Sequence, residues 1–354
     1  MAKERKERLF NLPETKGNFQ LKGVVTGTDK DGFFKEITTK NDKQMRIVNF
    51  GVEYSDGNTL YVNMNGIEQD AVYFSKKADK PGEKGDTQRV SWNERFKYNR
   101  EGYRLIGNNI GVKKIVNSEG KTVNDKKTLT DYDSCDEIAK NLKDGSSVFV
   151  RGKLDISSFT TNDGGKRTTT KLVPSQVSLC ADCDFSDVSY ETVNDFNQTI
   201  VFMGIDQEKD SNDKPTGKFI LLGKIINWGS IEDVQFYVTD AKLAGLFKKN
   251  LKPYWSIKVS GHIITETQTE EVTDDSDVWG ESDSMTKVVA PTRRLFVVTG
   301  ATPSTIDRET YTESNVNDAI AKINKAKNAE VAYGDNTEWG DKLDSADDSD
   351  DAWD

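Results

Sequence analysis

The sequence predicts a mainly β chain built as two consecutive five-stranded barrels, with short helices, a C-terminal helix and a disordered acidic tail. Three observations carry this. Short runs of alternating or β-branched residues bounded by Gly, Asp or Asn recur along most of the chain, which is how half-buried strands read. The order strands, helix, strands occurs twice. A length of 354 residues, 34% apolar and 31% charged, gives room for two or three compact units at roughly 100 to 200 residues each.

After a charged arm over residues 1–16, the first unit (17–186) opens with FQLKGVVTG, Phe19 to Gly27, followed by FFKEITT, QMRIVNFGVEY, NTLYVNMNG and AVYF. An irregular insertion at 75–130 contains the hairpin-like GYRLIGNNIGVKKIV. DYDSCDEIAKNL predicts a short helix from Asp131 to Leu142, capped by Asp131 or Asp133, with Ile138, Ala139 and Leu142 on one face. SVFVRGKLDIS, a turn at TNDGGKR and TTTKLVPSQVSL complete the unit near Cys183.

The second unit (187–312) repeats the order with TIVFMGI, GKFILLGKII, VQFYVTD, a helix at AKLAGLFKKNL, then YWSIKVSGHIITET and TRRLFVVTGA. Ser146–Ser157 sets beside Trp255–Thr267: each follows a short helix and places one glycine, Gly152 or Gly261, after an alternating run. A five-stranded unit with a helix between its third and fourth strands is the plan of an OB-fold, a small Greek-key barrel whose sheet face and loops bind oligonucleotides. A generic β-sandwich is the competing architecture. Val316, Ala319, Ile320 and Ile323 then recur at helical spacing and predict a helix over 313–329.

The formal charge of −10 sits almost wholly at the end. Residues 330–354 hold ten acids and one lysine, so this tail carries −9 and the rest of the chain −1. With no apolar periodicity, the tail buries too little surface to offset chain entropy and is expected to be disordered.

Several function classes are excluded or disfavoured. No apolar run approaches the roughly 18 residues of a membrane span, and mean hydropathy is −0.70. MAKERKERLF lacks the apolar stretch of a secretion signal, so a cytoplasmic protein is expected. The single histidine, His262, removes most plans that need a His base or several His ligands. Phosphate-loop, dinucleotide-loop and nucleophile-elbow motifs are missing, so neither an enzyme nor a cofactor is expected. Cys180 and Cys183 form a lone C-x-x-C without a second close pair, and no metal is expected there.

The most informative cluster runs from Tyr73 to Arg104. Tyr73, Trp92, Phe96, Tyr98 and Tyr103 lie interleaved with Lys76, Lys77, Arg89, Arg95, Lys97, Arg100 and Arg104, and nine basic residues stand against five acidic ones. Single-stranded nucleic acid asks for that combination, because cations follow phosphates while rings stack on bases. The competing account is a solvated loop whose aromatics tuck into the core. A second candidate is the hairpin between the last two strands of the first unit, with Phe159, Lys166 and Arg167. Lys22, Phe33, Phe34, Lys35, Arg46 and Tyr61 could complete the sheet face. The matching loop of the second unit, 265–285, has eight acids and no base, which would repel phosphate.

Tandem OB-like units, an aromatic-basic cluster and a tail ending DDSDDAWD resemble the replicative single-stranded DNA-binding proteins of bacteria and bacteriophages. The resemblance implies non-specific coating of single-stranded DNA in replication, recombination or repair, in the host cytoplasm if the chain is phage-encoded. It also implies a tail that competes with DNA and recruits replication or recombination proteins, here through Asp347, Asp348, Asp350, Asp351, Trp353 and Asp354. Asp354 after Trp353 departs from that pattern, and self-association is left open. A virion structural or assembly protein using β-barrels as interaction domains is the alternative class.

Overall fold

The computed structural model describes residues 8–78, 80, 83–161, 165–210, 213–266, 269–272, 285–288 and 293–332. The tail beyond 332, with Asp347, Asp348, Asp350, Asp351, Trp353 and Asp354, and the centre of the acidic loop, 273–284, lie outside these residues. Two compact units emerge: one comprises 18–155 and 171–194, the other 1–17, 156–170 and 195–354. The arms of the hairpin that begins in the first barrel, within 156–170, therefore belong to the second unit, where the sequence predicts two contiguous blocks.

In chain order the first set of elements is β1 (Gly17–Thr26), β2 (Phe34–Thr38), β3 (Gln44–Ser55), β4 (Asn58–Ile67), β5 (Ala71–Lys76), β6 (Asp86–Ser91), β7 (Arg104–Leu105), β8 (Asn108–Gly111), β9 (Lys114–Val116), β10 (Thr122–Asn124), β11 (Lys127–Leu129), α1 (Asp131–Asn141), β12 (Ser147–Thr160) and β13 (Lys166–Leu179). Five of these strands close a barrel. β1 pairs antiparallel with β3 and β12, β3 with β4, and β12 pairs with β13. β4 meets β13 in parallel at Val62↔Leu172. With α1 between the third and fourth barrel strands, this is OB topology. Alternation decides what fills the barrel: Phe19, Leu21, Val48, Phe50, Leu60, Val62, Val148, Val150 and Leu172 point inward and are fully buried. α1 covers one end with Ile138, joined by Leu142 just past the helix, and its buried Cys135 thiol is pushed up to about 12 by desolvation.

The second set is β14 (Val193–Lys209), β15 (Pro215–Ile226), β16 (Ile231–Val238), α2 (Ala241–Asn250), β17 (Ser256–Glu266), β18 (Thr269–Val272), β19 (Met285–Val288), β20 (Arg293–Asp307) and α3 (Glu313–Ala332). β14 pairs with β15 and β17, β15 with β16, β17 with β20, and β16 meets β20 in parallel at Tyr237↔Val297. The same barrel is thus built twice, around a core that includes the mutually packed rings of Phe196, Phe236 and Phe296. α3 seats Val316, Ala319 and Ile323 against Phe10, Leu12 and Tyr311. No helix among the described residues is long and apolar enough to cross a membrane.

The internal sequence match falls on corresponding strands, β12 and β17, and its glycines have one steric cause. A Cβ at Gly152 would collide with the carbonyl of Val173 in β13, and a Cβ at Gly261 with that of Val297 in β20. Each fourth strand presses its glycine onto the backbone of the fifth.

Three local expectations change. AVYF belongs to the insertion as β5, so the inserted segment begins after Ile67. GYRLIGNNIGVKKIV is not a hairpin: β7 pairs with β5, β8 with β11 and β13, and β9 with β10. The cap of α1 is Thr130, whose hydroxyl accepts from the Asp133 N–H at 3.1 Å, so the chain turns helical one residue earlier than a cap at Asp131 would allow.

Candidate nucleic-acid interface

The insertion between β4 and α1 folds β6, β5 and β7 into a small three-stranded sheet in that order. Tyr73 lies opposite Arg89, Ser75 opposite Thr87 and Arg104, and Ala71 opposite Ser91. Ile106 continues β7, donating its N–H to the Tyr73 carbonyl at 2.8 Å. Residues directly opposite across antiparallel strands share a face. One face therefore presents the row Arg89, Tyr73, Ile106 and beside it the row Thr87, Ser75, Arg104. Tyr73 is 50% exposed and Ile106 58%, and no Asp or Glu stands among these residues.

The other face is a core. Val72, Phe74 and Trp92 pack with Tyr132 of α1, joined by Val90, Tyr98, Tyr103 and Leu105. The Phe74 and Tyr98 ring centroids are 4.5 Å apart, those of Trp92 and Tyr132 5.9 Å. Trp92, taken from the sequence as a stacking residue, is only 9% exposed and holds this sheet to the helix. Its position in a 3-10 turn, Trp92–Glu94, tips the ring inward. Tyr98 and Tyr103 are half-buried in the same cluster.

Arg95 is likewise engaged. Its guanidinium forms a bidentate pair with Asp133 at 2.8 and 2.9 Å, donates to the Trp92 carbonyl at 2.8 Å, and lies 4.0 Å and 4.3 Å from the ring centroids of Trp92 and Phe96. With its side chain 13% exposed, it latches the insertion to the first turn of α1 instead of facing a phosphate. Phe96 covers this latch and is itself 68% exposed.

At the rim, Arg100 lies over the Tyr103 ring at 4.8 Å. The Tyr103 hydroxyl donates to the Asp86 carboxylate, which is held below the usual carboxylate range first by that bond. Lys77 is exposed, Lys76 half-buried with its stem near Gly102, and Lys97 makes a loose 3.5 Å pair with Glu94. The cluster thus separates into an open face (Tyr73, Arg89, Arg104), an exposed rim (Lys77, Phe96, Lys97, Arg100) and packing residues (Trp92, Arg95, Tyr98, Tyr103). Ile106 is the apolar member of the open face, which charge and aromatic counting misses along with Ser75 and Thr87; its signal is an apolar residue exposed two positions after Arg104.

The hairpin candidate has other work. In the second unit Lys166 pairs with the buried Glu232 at 3.3 Å, the Thr168 hydroxyl donates to the Asp233 carbonyl and Arg294 to the Thr170 carbonyl. Phe159 is half-buried there and Arg167 exposed. Burial pushes Glu232 upward, but hydrogen bonds from Ser158 and Ser230 and the charge of Lys166 keep it below its ordinary value. On the first barrel, Arg46 pairs with Glu36 and lies over Tyr132, Lys22 lies over Tyr190, and Phe33 is buried. In the second barrel Lys218 and Lys224 are matched by Glu266 and Asp233.

Two closed barrels of OB topology, one carrying a basic-aromatic sheet in its third-strand loop, define a tandem OB-fold protein. The chain belongs to the YorF family, whose model matches residues 77–332. Among solved structures it is similar to the wild-type single-stranded DNA binding protein from Thermus aquaticus, with a TM-score of 0.38 at 9% identity over 82% of this chain and 93% of that one. A deletion mutant of that protein gives 0.39 at 10% identity over 82% and 94%. At these values the barrels' own strand pairing, not the likeness, defines the fold. No curated protein matches the chain.

Proposed function

We propose that this protein binds single-stranded DNA without sequence specificity, acting in the cytoplasm in DNA replication, recombination or repair, with no catalytic role. The observation that carries the proposal is the acid-free face on which Tyr73 and Ile106 lie side by side, with Arg89 next to Tyr73 and Arg104 next to Ile106. A phenol ring and an aliphatic side chain give a flat apolar surface for unpaired bases, while the arginines reach the phosphates on either side. A duplex hides its base faces, so stacking selects the single strand. Phe96, Lys97, Lys77 and Arg100 extend the surface along its rim.

The acidic tail competes for this face when DNA is absent, and when DNA fills the face it is released to engage replication or recombination proteins. Like charge along residues 330–354 gives it the sign of a nucleic-acid strand. The test is the affinity of the full chain for a fluorescent oligo(dT) of about 30 nucleotides, long enough for several OB-sized sites, across a salt series and against the matching duplex. Tight, salt-sensitive binding that prefers the single strand is expected, and deletion of 330–354 tightens it most at low salt. Lack of binding by both the full chain and the tail-deleted form would transfer the protein to the virion-assembly class.

A further inference from the structure

A cavity of about 360 Å3 opens where the first barrel's third strand parts from its fifth. β13 pairs with β4 only at Leu172 and with β8 only from Gln176 onward. Between these points Val173, Pro174 and Ser175 leave that edge of β13 uncovered, and Pro174 has no N–H to offer a neighbour. The gap persists because no strand can complete the ladder there.

Its lining is chemically specific. Asn18, Asn49, Asn63, Asn65 and Asn108 bring five side-chain amides to one space. Three are held in place: Asn63 donates to Asn49 at 3.0 Å, Asn49 donates to the Gly32 carbonyl at 3.5 Å, and Asn108 donates to Asp131 at 2.7 Å. Asn18 and Asn65 are exposed, and their amides make no hydrogen bond among the described residues. Ile47, Met64, Val173 and Pro174 supply an apolar floor. The charges cancel, Lys153 and Lys171 against Asp131 and Asp155, so the site favours a flat neutral group with mixed donors and acceptors over a bare phosphate.

We propose that this cavity is a nucleobase pocket, in which one unpaired base of a bound strand inserts its hydrogen-bonding edge among the asparagine amides. Amides suit this because each offers a donor pair and an acceptor, matching a base edge bidentately. The size lies at the lower end of ligand pockets, about 300–1,000 Å3. The inference rests on the strand-binding proposal for the source of the base, and it adds a base preference to an otherwise sequence-blind surface.

The test has two arms on the full chain. In the first, affinities for 30-nucleotide oligo(dA), oligo(dC) and oligo(dT) are compared at one salt concentration for the wild type, Asn18→Ala/Asn65→Ala, and Asn65→Trp, which blocks the cavity. Neither side chain makes a hydrogen bond among the described residues, and the backbone pairing at both positions is kept in the variants. The wild type is expected to discriminate by about tenfold, the size of one amide–base pairing, and both variants lose that discrimination while keeping the same salt dependence. In the second arm, adenosine, cytidine and thymidine nucleosides are titrated while the asparagine side-chain amide resonances are followed. Saturable shifts in the wild type that vanish in Asn65→Trp support the pocket even if no oligonucleotide binds, an outcome that would overturn only the strand-binding proposal. Equal affinity for all three strands, with no saturable nucleoside shift, overturns the pocket and leaves strand binding standing.

Discussion

Tyr73 and Phe74 are neighbours in β5 and serve opposite faces: Tyr73 is 50% exposed beside Arg89, whereas Phe74 is 6% exposed against Tyr98. Strand alternation alone splits one aromatic dipeptide into a surface ring and a core ring. Tyr73→Ala should weaken oligo(dT) binding by about 1–3 kcal/mol, the worth of one stacked base, and leave the urea midpoint unchanged.

Trp92→Ala should behave in the reverse manner. Removing a buried ring of this size costs about 3–5 kcal/mol, so its chemical-denaturation midpoint should fall. In conditions where the variant is folded, its affinity for oligo(dT) should match that of the wild type. A midpoint unmoved by Trp92→Ala would contradict the packing of Trp92 on Tyr132.

Arg89 and Arg104 stand apart from Arg95 in a way that salt can resolve. Each lost phosphate contact lowers the slope of log K against log salt by about 1. Arg89→Ala/Arg104→Ala should therefore flatten the salt series by about two phosphate contacts without loss of stability. Arg95→Ala should leave the slope unchanged and destabilise the protein by about 3–5 kcal/mol, since it strands the carboxylate of Asp133 in a mostly buried pair.

The hairpin contact at Glu232 predicts an acid-linked loss of stability. Its carboxyl lies below the ordinary value of 4.5 in the folded chain, so the folded state binds fewer protons than the unfolded one in that range. The contribution is present above the ordinary value and disappears as pH falls through the depressed one. Urea midpoints at pH 7, 5 and 3 should drop more steeply below pH 4.5 for the wild type than for Glu232→Gln.

Gly152→Ala and Gly261→Ala should each destabilise by about 1–3 kcal/mol, the usual cost of forcing added carbon into packed surroundings, because the obstacle is a backbone carbonyl. Melting temperatures of the two single variants check this, and no decrease in either would mean that the fifth strand can yield.

Both barrels were legible in the sequence because their strands alternate along most of their length and because the glycines sit at one steric position in each. The assignment of 156–170 to the second unit was not, since Lys166, Thr168 and Thr170 find partners far along the chain and carry no local mark of it. The aromatic-basic cluster was legible as a composition, but its sorting was only half so. On β5 and β6 the period of two gives each residue a face, whereas from Trp92 to Tyr103 the chain is irregular and no period tells Trp92 from Phe96. Arg95 looked like Arg89 because a guanidinium's partner, here Asp133, is written in another part of the sequence.

The loop that carries the small sheet occupies residues 68–130 in the first barrel, between β4 and α1, while in the second only Thr239 and Asp240 separate β16 from α2. The protein thus contains its own internal control. Properties that both halves share belong to the scaffold, and strand binding confined to the first half would trace to the small sheet that its loop carries.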